Sequence, residues 1–184
     1  MTRISTPASI EASPEASRPR LEAVQKQFGV VPNLFRLIGN SPAALEGLLG
    51  LQGALGKGAL EPATRSRIAI AVAEVNACNY CLSAHSYLGK NLAKLSDDEI
   101  NANRDGGSVD VKANAAIQFA VKLVKTRGHL SNADVQAVKR AGYTDAQIIE
   151  IISHVALNTL TNYVNVVADT EIDFPLIKAR QQAA

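Results

Sequence analysis

The only two cysteines of the chain lie three residues apart, with an acid before them and an imidazole after them. Glu74 precedes Cys78 by four residues, and His85 follows Cys81 by four. Two thiols at this spacing can close into a disulfide and reopen. A neighbouring carboxylate and imidazole can move the protons that such chemistry requires. The pattern therefore predicts thiol-based redox chemistry.

The local conformation of this segment has two alternatives. If residues 74–85 formed one continuous helix, the acid, both thiols and the imidazole would line one face, because their offsets nearly match the helical repeat. If the chain instead broke at Asn76-Ala77, both cysteines would lie in the first turn of a new helix. There, unpaired backbone N–H groups and the helix dipole favour a thiolate. Both arrangements suit redox chemistry, and the second explains thiolate formation better.

Two other uses of the cysteines are open. Buried cysteines in a helix often only fill space, and the preceding segment, residues 69–77, is strongly apolar. A zinc site would need two further ligands, for which His85 and Glu74 are the candidates. Closed structural zinc sites prefer more sulfur or nitrogen than this set offers. Redox use is favoured over both alternatives.

The composition is that of a globular domain with a sizeable core. The chain has 184 residues, of which 47% are hydrophobic and 20% charged. Its 19 basic and 17 acidic residues give a formal net charge of +2. This near balance gives no electrostatic reason to expect nucleic acid or an anionic membrane as a partner.

No membrane-spanning segment is expected either. The most apolar long segment, residues 148–168, is interrupted by Glu150, His154 and three asparagines. The first residues lack the apolar run of a signal peptide. We therefore expect a cytoplasmic protein, in which a lone CxxC pair is more often catalytic or metal-binding than a structural disulfide.

Helical periodicity and helix-terminating residues run through the chain from Leu21 onward. No segment alternates with the two-residue period of a strand. We expect an all-α fold, a bundle of about six to eight helices in a single domain over residues 21–176. Residues 1–20, which contain three prolines, are predicted to form a mobile or loosely docked N-terminal arm, and residues 177–184 a C-terminal tail.

Individual helices can be placed from their ends and faces. The segment 63–75 has almost no polar face, so this helix should lie at the centre of the fold. Ser41-Pro42 begins a helix as N-cap and first-turn proline. Three later helices begin at caps: Ser96–Glu99 is predicted to form a capping box, and Ser131–Asp134 and Thr144–Gln147 cap the other two.

Four polar residues recur every four positions on the last long helix: Glu150, His154, Asn158 and Asn162. Because a helix normally has one polar side, we expect this stripe to face solvent or an interface. The alternative is that His154 or one of the asparagines reaches the mouth of the active site. Tyr80, between the cysteines, is expected to be a packing residue.

The segment Glu74–His85, EVNACNYCLSAH, closely resembles the motif of the alkylhydroperoxidase AhpD-like proteins, which belong to the carboxymuconolactone decarboxylase superfamily. Three further stretches, Val31–Phe35, Asn162–Asn165 and Asp169–Pro175, are similar to the peroxidase-related branch of that superfamily. Together they cover about residues 21–176. The resemblance implies an AhpD-like helical bundle that assembles into homo-oligomers, as dimers, trimers or hexamers.

The resemblance also implies peroxide reduction with no haem, metal or other cofactor. In that scheme Cys81 attacks the peroxide as a thiolate and becomes a sulfenic acid, and Cys78 condenses with it to form the disulfide. His85 would help to deprotonate Cys81 and to protonate the leaving alkoxide. An external dithiol, either a lipoyl group or a thioredoxin-like protein, would then reduce the disulfide.

Two positions differ from the hydroperoxidases of this family. Those enzymes place a glutamate twelve residues before the first cysteine, where this chain has Ser66, and a histidine just before the second, where it has Tyr80. Glu74 is the candidate to replace the missing glutamate, and it completes the predicted site with the two cysteines and His85.

The predicted function is a thiol-dependent peroxidase that reduces alkyl hydroperoxides or hydrogen peroxide. The main alternative is a cytosolic thiol-disulfide sensor or adaptor without substantial turnover. A third possibility, from another class, is a metal-binding or purely structural helical oligomer.

Overall fold

Nine α-helices make up the computed structural model, which describes residues 2–180, and no strand occurs within that range. The helices are α1 (Arg18–Phe28), α2 (Asn33–Ile38), α3 (Pro42–Leu55), α4 (Pro62–Val75), α5 (Asn79–Asn91), α6 (Asp97–Arg104), α7 (Val111–Lys125), α8 (Asn132–Arg140) and α9 (Asp145–Ala168). The prediction of a single all-α domain is confirmed, although the described residues form nine helices rather than the six to eight expected.

Side-chain caps explain where several helices begin. The Ser41 side chain accepts a hydrogen bond from the Ala44 backbone nitrogen at 3.3 Å. Reciprocal capping boxes at Ser131–Asp134 and Thr144–Gln147 begin α8 and α9, as predicted. At the start of α6, Ser96 caps the helix, but the Glu99 carboxylate does not return to it. The box predicted there is wrong because Arg67, Asn103, Ser108 and the Val109 backbone nitrogen donate to that carboxylate instead.

Helix α4 lies at the centre of the bundle, as its lack of a polar face predicted. It packs against α5, α6, α7 and α9. Ile68, Ile70 and Val72 have no exposed surface, so both sides of the helix are covered. Burying large aliphatic side chains contributes about 1.5–3 kcal/mol each to stability, which makes α4 the element that fixes the positions of its neighbours.

Three apolar clusters surround this central helix. One lies between α4, α7, α8 and α9, and a second joins α1, α2 and α3 to α9. The third contains both cysteines together with side chains of α4, α5 and α6. The two thiols are therefore part of a packed core rather than of a surface loop.

The N-terminal region is docked more closely than the sequence indicated. The helix predicted from Leu21 begins at Arg18, with Pro19 in the first turn, where its missing N–H is not needed. The Ser17 hydroxyl donates to the Gly39 carbonyl oxygen at 2.7 Å and is buried. The Arg3 backbone nitrogen reaches the end of α9, so the residues before α1 lie against the helical core.

The chain after α9 crosses the cysteine-bearing helix, and we call residues 170–180 the C-terminal strap. The Ile177 backbone nitrogen donates to the Ser83 hydroxyl at 2.9 Å, and the Ala179 nitrogen to the Asn79 side chain at 2.8 Å. The tail predicted from residue 177 therefore begins within a docked segment, and residues 181–184 lie outside the described residues.

Helix α9 has an inverted distribution of polar and apolar residues. His154, Asn158 and Asn162 are buried, whereas Ile149 and Tyr163 are 63% and 58% exposed. The prediction that the polar stripe faces solvent or an interface is therefore wrong for His154, Asn158 and Asn162, which are turned toward the other helices. No helix within residues 2–180 has the length and apolar character needed to cross a bilayer.

Candidate active site

The chain breaks between α4 and α5, at the position where the sequence left two alternatives open. Ala77 adopts a left-handed φ of 51°, and α5 begins at Asn79. The alternative of one continuous helix over residues 74–85 is therefore wrong. Cys78 is the N-cap residue of α5, and its Sγ accepts a hydrogen bond from the Cys81 backbone nitrogen at 3.3 Å.

The two thiols are free and deeply buried, with Cys78 1% and Cys81 2% exposed. The Cys81 Sγ accepts a hydrogen bond from the Asn165 Nδ2 at 3.2 Å. This bond joins α5 to α9, across 84 positions of sequence. Asn165 is not among the site residues predicted from the sequence, although it continues the polar stripe of α9 one turn beyond Asn162.

The surroundings favour ionisation of Cys81 over Cys78. Burial opposes ionisation of Cys81, but hydrogen bonding from Cys78 and Asn165 outweighs it and lowers the pKa of Cys81. The pKa of Cys78 is raised, first because its thiol is hydrogen-bonded to Cys81 and then by burial. Cys81 is therefore the thiol of the pair that ionises more readily, and Cys78 the one that keeps its proton.

His85 follows Cys81 by one helical turn on α5, a spacing at which side chains are neighbours on the helix surface. Burial lowers the pKa of His85 to about 4, and the Asn158 side chain opposes this shift. His85 is therefore neutral near pH 7, with one ring nitrogen free to accept a proton.

Together, Cys81, His85, Asn158, Asn162 and Asn165 form what we call the amide cluster. Its α9 members are all buried, and none of the three carries a formal charge. The Asn162 Oδ1 accepts a hydrogen bond from the Asn76 side chain at 2.9 Å, which anchors the cluster to the turn before α5. Uncharged donors thus surround the thiol that ionises.

Glu74 lies in a different environment, which we call the ion-pair cluster (Glu74, Arg104, Asp105 and Arg180). Its carboxylate accepts a hydrogen bond from the Arg104 Nε at 2.7 Å and another from the Arg180 backbone nitrogen. A cavity of about 170 Å³ is lined by these residues and by neither cysteine. Within residues 2–180, none of the hydrogen bonds of Glu74 reaches a thiol or His85.

Glu74 was the candidate for the fourth ligand of a zinc site. It is paired with Arg104 instead. Within the described part of the chain, no group of three or more His, Cys, Asp and Glu side chains is arranged to hold a metal ion. Ser66, which stands where related hydroperoxidases have glutamate, donates to the Pro62 carbonyl oxygen one turn back on its own helix at 3.2 Å.

The separated stretches that carry the family resemblance meet at the start of α5. The Asn33 backbone nitrogen donates to the Asp173 carboxylate at 2.7 Å, and the Leu34 nitrogen donates to the Tyr80 hydroxyl at 3.1 Å. Tyr80 packs edge-on against Phe174 and is 4% exposed, which confirms its predicted packing role. Burial raises the pKa of its hydroxyl.

Comparison with known proteins agrees with this architecture. The model of the carboxymuconolactone decarboxylase family matches residues 42–126, a range that includes both cysteines and His85. Comparison with the curated proteins gives no significant match.

Three solved structures share the fold over almost their whole length. The alkylhydroperoxidase AhpD core of Ralstonia eutropha JMP134, an uncharacterised peroxidase-related protein, is 25% identical, with a TM-score of 0.82 and 92% of each chain covered. An uncharacterised peroxidase-related protein from Silicibacter sp. TM1040 is 22% identical, with a TM-score of 0.78 and coverage of 93% of this chain and 94% of that one. A cysteine-to-alanine variant of the debrominase Bmp8, in complex with 2,3,4-tribromopyrrole, is 21% identical, with a TM-score of 0.77 and coverage of 94% and 92%.

Proposed function

The chain is an AhpD-like member of the carboxymuconolactone decarboxylase superfamily, and on this basis we propose that it is a thiol-dependent peroxidase with an antioxidant role. Its substrates are alkyl hydroperoxides or hydrogen peroxide. The catalytic pair is Cys81 and Cys78, assisted by His85. The observation that carries the proposal is the hydrogen bond from the Asn165 Nδ2 to the Cys81 Sγ, within a cluster that lowers the pKa of that thiol.

A lowered pKa matters because the thiolate, not the thiol, is the nucleophile. In the first step the Cys81 thiolate attacks the terminal peroxide oxygen, an S–O bond forms and the O–O bond breaks. The sulfur is oxidised to sulfenic acid, and the peroxide is reduced to an alkoxide, which leaves as an alcohol after protonation. For hydrogen peroxide the leaving product is water.

The second step is closure of the disulfide. The Cys78 sulfur attacks the Cys81 sulfur, and the sulfenic oxygen leaves as water. In the resting protein the interaction with Cys81 is the largest cause of the raised pKa of Cys78. Oxidation of Cys81 removes its negative charge, so the pKa of Cys78 falls when a Cys78 thiolate is needed.

His85 relays the proton between these steps. Because its pKa is lowered to about 4, it is neutral near pH 7 and can accept the proton of Cys81. It then delivers this proton to the departing alkoxide. Glu74 was predicted to assist, but its bonds to Arg104 and the strap favour a positioning role, which a Glu74→Gln variant tests below.

Completion of the cycle needs a second dithiol. It supplies the two electrons that reduce the Cys78–Cys81 disulfide back to two thiols. We propose a lipoyl group or a thioredoxin-like protein as this reductant. A reducing compartment such as the cytoplasm supplies both.

The exposed face of α9 supports assembly into homo-oligomers. Ile149, Leu160 and Tyr163 are about half exposed or more and recur along one side of the helix. Helix α3 packs beside α9 and has three exposed glycines. A Cβ atom added at any of them would meet no atom within 4 Å. An apolar stripe next to a smooth helix face is typical of a contact surface, and a second copy of the chain is the occupant we propose.

The test is peroxide consumption coupled to dihydrolipoamide or a thioredoxin system. We expect the wild-type protein to turn over, Cys81→Ser to lose at least about a thousandfold, and Cys78→Ser to stop as a sulfenic acid at Cys81. A brominated pyrrole serves as a comparison substrate, because one structural neighbour is a debrominase. Equal peroxide consumption by wild type and Cys81→Ser would contradict the proposal.

One observation favours the alternative of a redox sensor, namely the deep burial of both thiols beneath the strap. A sensor would be oxidised once by peroxide and would not cycle with a dithiol. Multiple turnovers per protein molecule therefore distinguish the peroxidase from the sensor.

A further inference from the structure

The side-chain nitrogen of Asn162 is a fully buried hydrogen-bond donor without an acceptor. Asn162 has no exposed surface, and no atom within residues 2–180 accepts from its Nδ2. Its Oδ1 accepts from the Asn76 Nδ2 at 2.9 Å, which fixes the orientation of the amide. Buried polar groups in folded proteins are nearly always paired. An unpaired donor at full burial points to a role in which it gains an acceptor.

This donor lies beside the reactive sulfur. Asn162 lies one turn before Asn165 on α9, and its Oδ1 accepts from Asn76, two residues before Cys78 in the chain, so its amide lies between the cysteine-bearing helix and α9. The position next to Sγ itself is taken by Asn165, whose Nδ2 lies 3.2 Å away. The Nδ2 of Asn162 is therefore placed to donate a hydrogen bond to an atom bonded to the Cys81 sulfur.

The other amides of the cluster are already engaged. The Asn165 Nδ2 donates to the Cys81 Sγ, and the Asn158 Nδ2 donates to the His154 carbonyl oxygen at 2.7 Å. Asn162 is thus the amide of this cluster whose nitrogen has no acceptor.

We propose that Asn162 is a catalytic residue of disulfide closure, in which its Nδ2 donates a hydrogen bond to the sulfenic oxygen of oxidised Cys81. This inference rests on the proposed function, because it concerns the intermediate that a peroxide leaves on Cys81.

The chemistry of the step shows why a donor is needed there. The Cys78 sulfur attacks the Cys81 sulfur, an S–S bond forms and the S–O bond breaks. The oxygen takes the electron pair of the S–O bond and the proton released by Cys78, and it leaves as water. Negative charge develops on the oxygen while the S–O bond lengthens. A fixed donor in a buried site stabilises such charge without having to reorganise.

The experiment separates the two oxidation steps in the full-length reduced protein. Hydrogen peroxide is added at one equivalent, the reaction is quenched at intervals with a 1,3-dione that captures sulfenic acid, and intact-mass spectrometry gives sulfenic acid and disulfide against time. We expect Asn162→Ala to slow closure roughly 10- to 100-fold, the range for loss of one donor to a developing oxyanion, and to change sulfenic acid formation much less.

Asn101→Ala is the matched control. It makes the same substitution at an asparagine that contacts Arg180 of the ion-pair cluster rather than Cys81 or Asn162, so closure should stay within about threefold of wild type because the fixed donor is untouched. Circular dichroism and the melting temperature verify the fold of each variant.

Asn162→Asp tests the role of Asn162 through the pH dependence of closure, which a purely structural role would not change. It keeps the shape and the oxygen that accepts from Asn76, but at neutral pH it has no donor. Closure should be slow near pH 7 and recover relative to wild type as the pH falls, because a protonated carboxyl group can donate. The same variant serves as the test if Asn162→Ala does not fold.

The outcomes separate this inference from the proposed function. Unchanged closure in both Asn162 variants, with sulfenic acid forming normally, overturns the inference and leaves the peroxidase proposal in place. A wild-type protein that forms neither sulfenic acid nor disulfide with peroxide overturns the peroxidase proposal itself.

Discussion

The amide cluster and the ion-pair cluster both lie near the break between α4 and α5, but they use polar groups in different ways. In the amide cluster, Asn162 and Asn165 are buried and uncharged, and the Asn165 Nδ2 donates to the Cys81 Sγ. In the ion-pair cluster, Glu74 is just as buried but carries a charge that Arg104 balances. Because the donors of the amide cluster are neutral, the thiolate is the charge that they stabilise. In the ion-pair cluster, the charge of the carboxylate is already balanced by an arginine.

The difference bears on which residues carry protons. The Glu74 oxygens already accept hydrogen bonds from Arg104 and from the strap backbone. This carboxylate is held in an ion pair with Arg104 and is not aimed at the thiols. His85 has no such partner and is neutral, so it suits proton transfer. The variants below change one cluster at a time, in falling order of their effect on turnover.

The largest effect is expected at His85. His85→Gln removes the proton relay and should lower peroxide turnover about 100-fold, within the usual range for general acid–base groups. His154→Gln is the matched control, because His154 is also buried with a pKa lowered to about 4 but lies outside the amide cluster. Steady-state kinetics check both variants, and an equal loss in the two would remove the special role of His85.

Loss of the donor at Asn165 should have a smaller effect. Asn165→Ala removes the hydrogen bond to Sγ and should slow the reaction of Cys81 with peroxide about tenfold near pH 7, since a hydrogen bond to a charged group contributes about 1.5–3 kcal/mol. Asn101→Ala makes the same substitution in a residue that contacts Arg180 of the ion-pair cluster, and its reaction rate should not change. Stopped-flow measurements of thiol loss compare them.

Glu74→Gln should affect stability far more than turnover. Leaving Arg104 without its buried partner should cost about 3 kcal/mol, which corresponds to a fall of roughly 6–12 °C in melting temperature for a chain of this size. Turnover below the melting range should stay within about threefold, as expected for a residue outside the reacting groups. Glu46→Gln, at a largely exposed ion pair with Arg20, is the control and should change stability by less than about 1 kcal/mol. A hundredfold loss of turnover in Glu74→Gln would restore the catalytic role predicted from the sequence.

His85 and His154 also set a pH dependence of stability. Both have a pKa lowered to about 4 in the folded protein, mainly by burial, against about 6.5 when unfolded. The unfolded state therefore binds more protons in this window, and stability present above pH 6.5 is lost as the pH falls toward 4. Denaturant unfolding should show this loss, and the double variant His85→Gln, His154→Gln should flatten it.

The sequence predicted the residues that are close in the chain and missed those that are far apart. Cys78, Cys81 and His85 were identified from spacing alone, because helical geometry places such neighbours together. Asn165 was not, since its approach to Cys81 depends on how α9 packs against α5, which no local pattern reveals. The polar stripe of α9 was predicted to face solvent because polar residues usually do, and here they line the site.

Glu74 shows the opposite failure, in which nearness in sequence suggested a partnership that the fold separates. The left-handed conformation of Ala77 separates α4 from α5. Glu74 and the thiols therefore do not lie on one face of a continuous helix. The sequence left that break open as one of two alternatives. It could not show that Arg104 and the strap would then engage the carboxylate.

Ultraviolet titration of the thiolate in Cys78→Ser and in Cys81→Ser tests most directly whether the amide cluster selects the nucleophile. We expect the remaining Cys81 to ionise below the value of about 8.5 for a free cysteine, and the remaining Cys78 to ionise above it. If Cys78 ionises first, or if both thiols titrate at the same pH, then the buried amides do not make Cys81 the attacking thiolate.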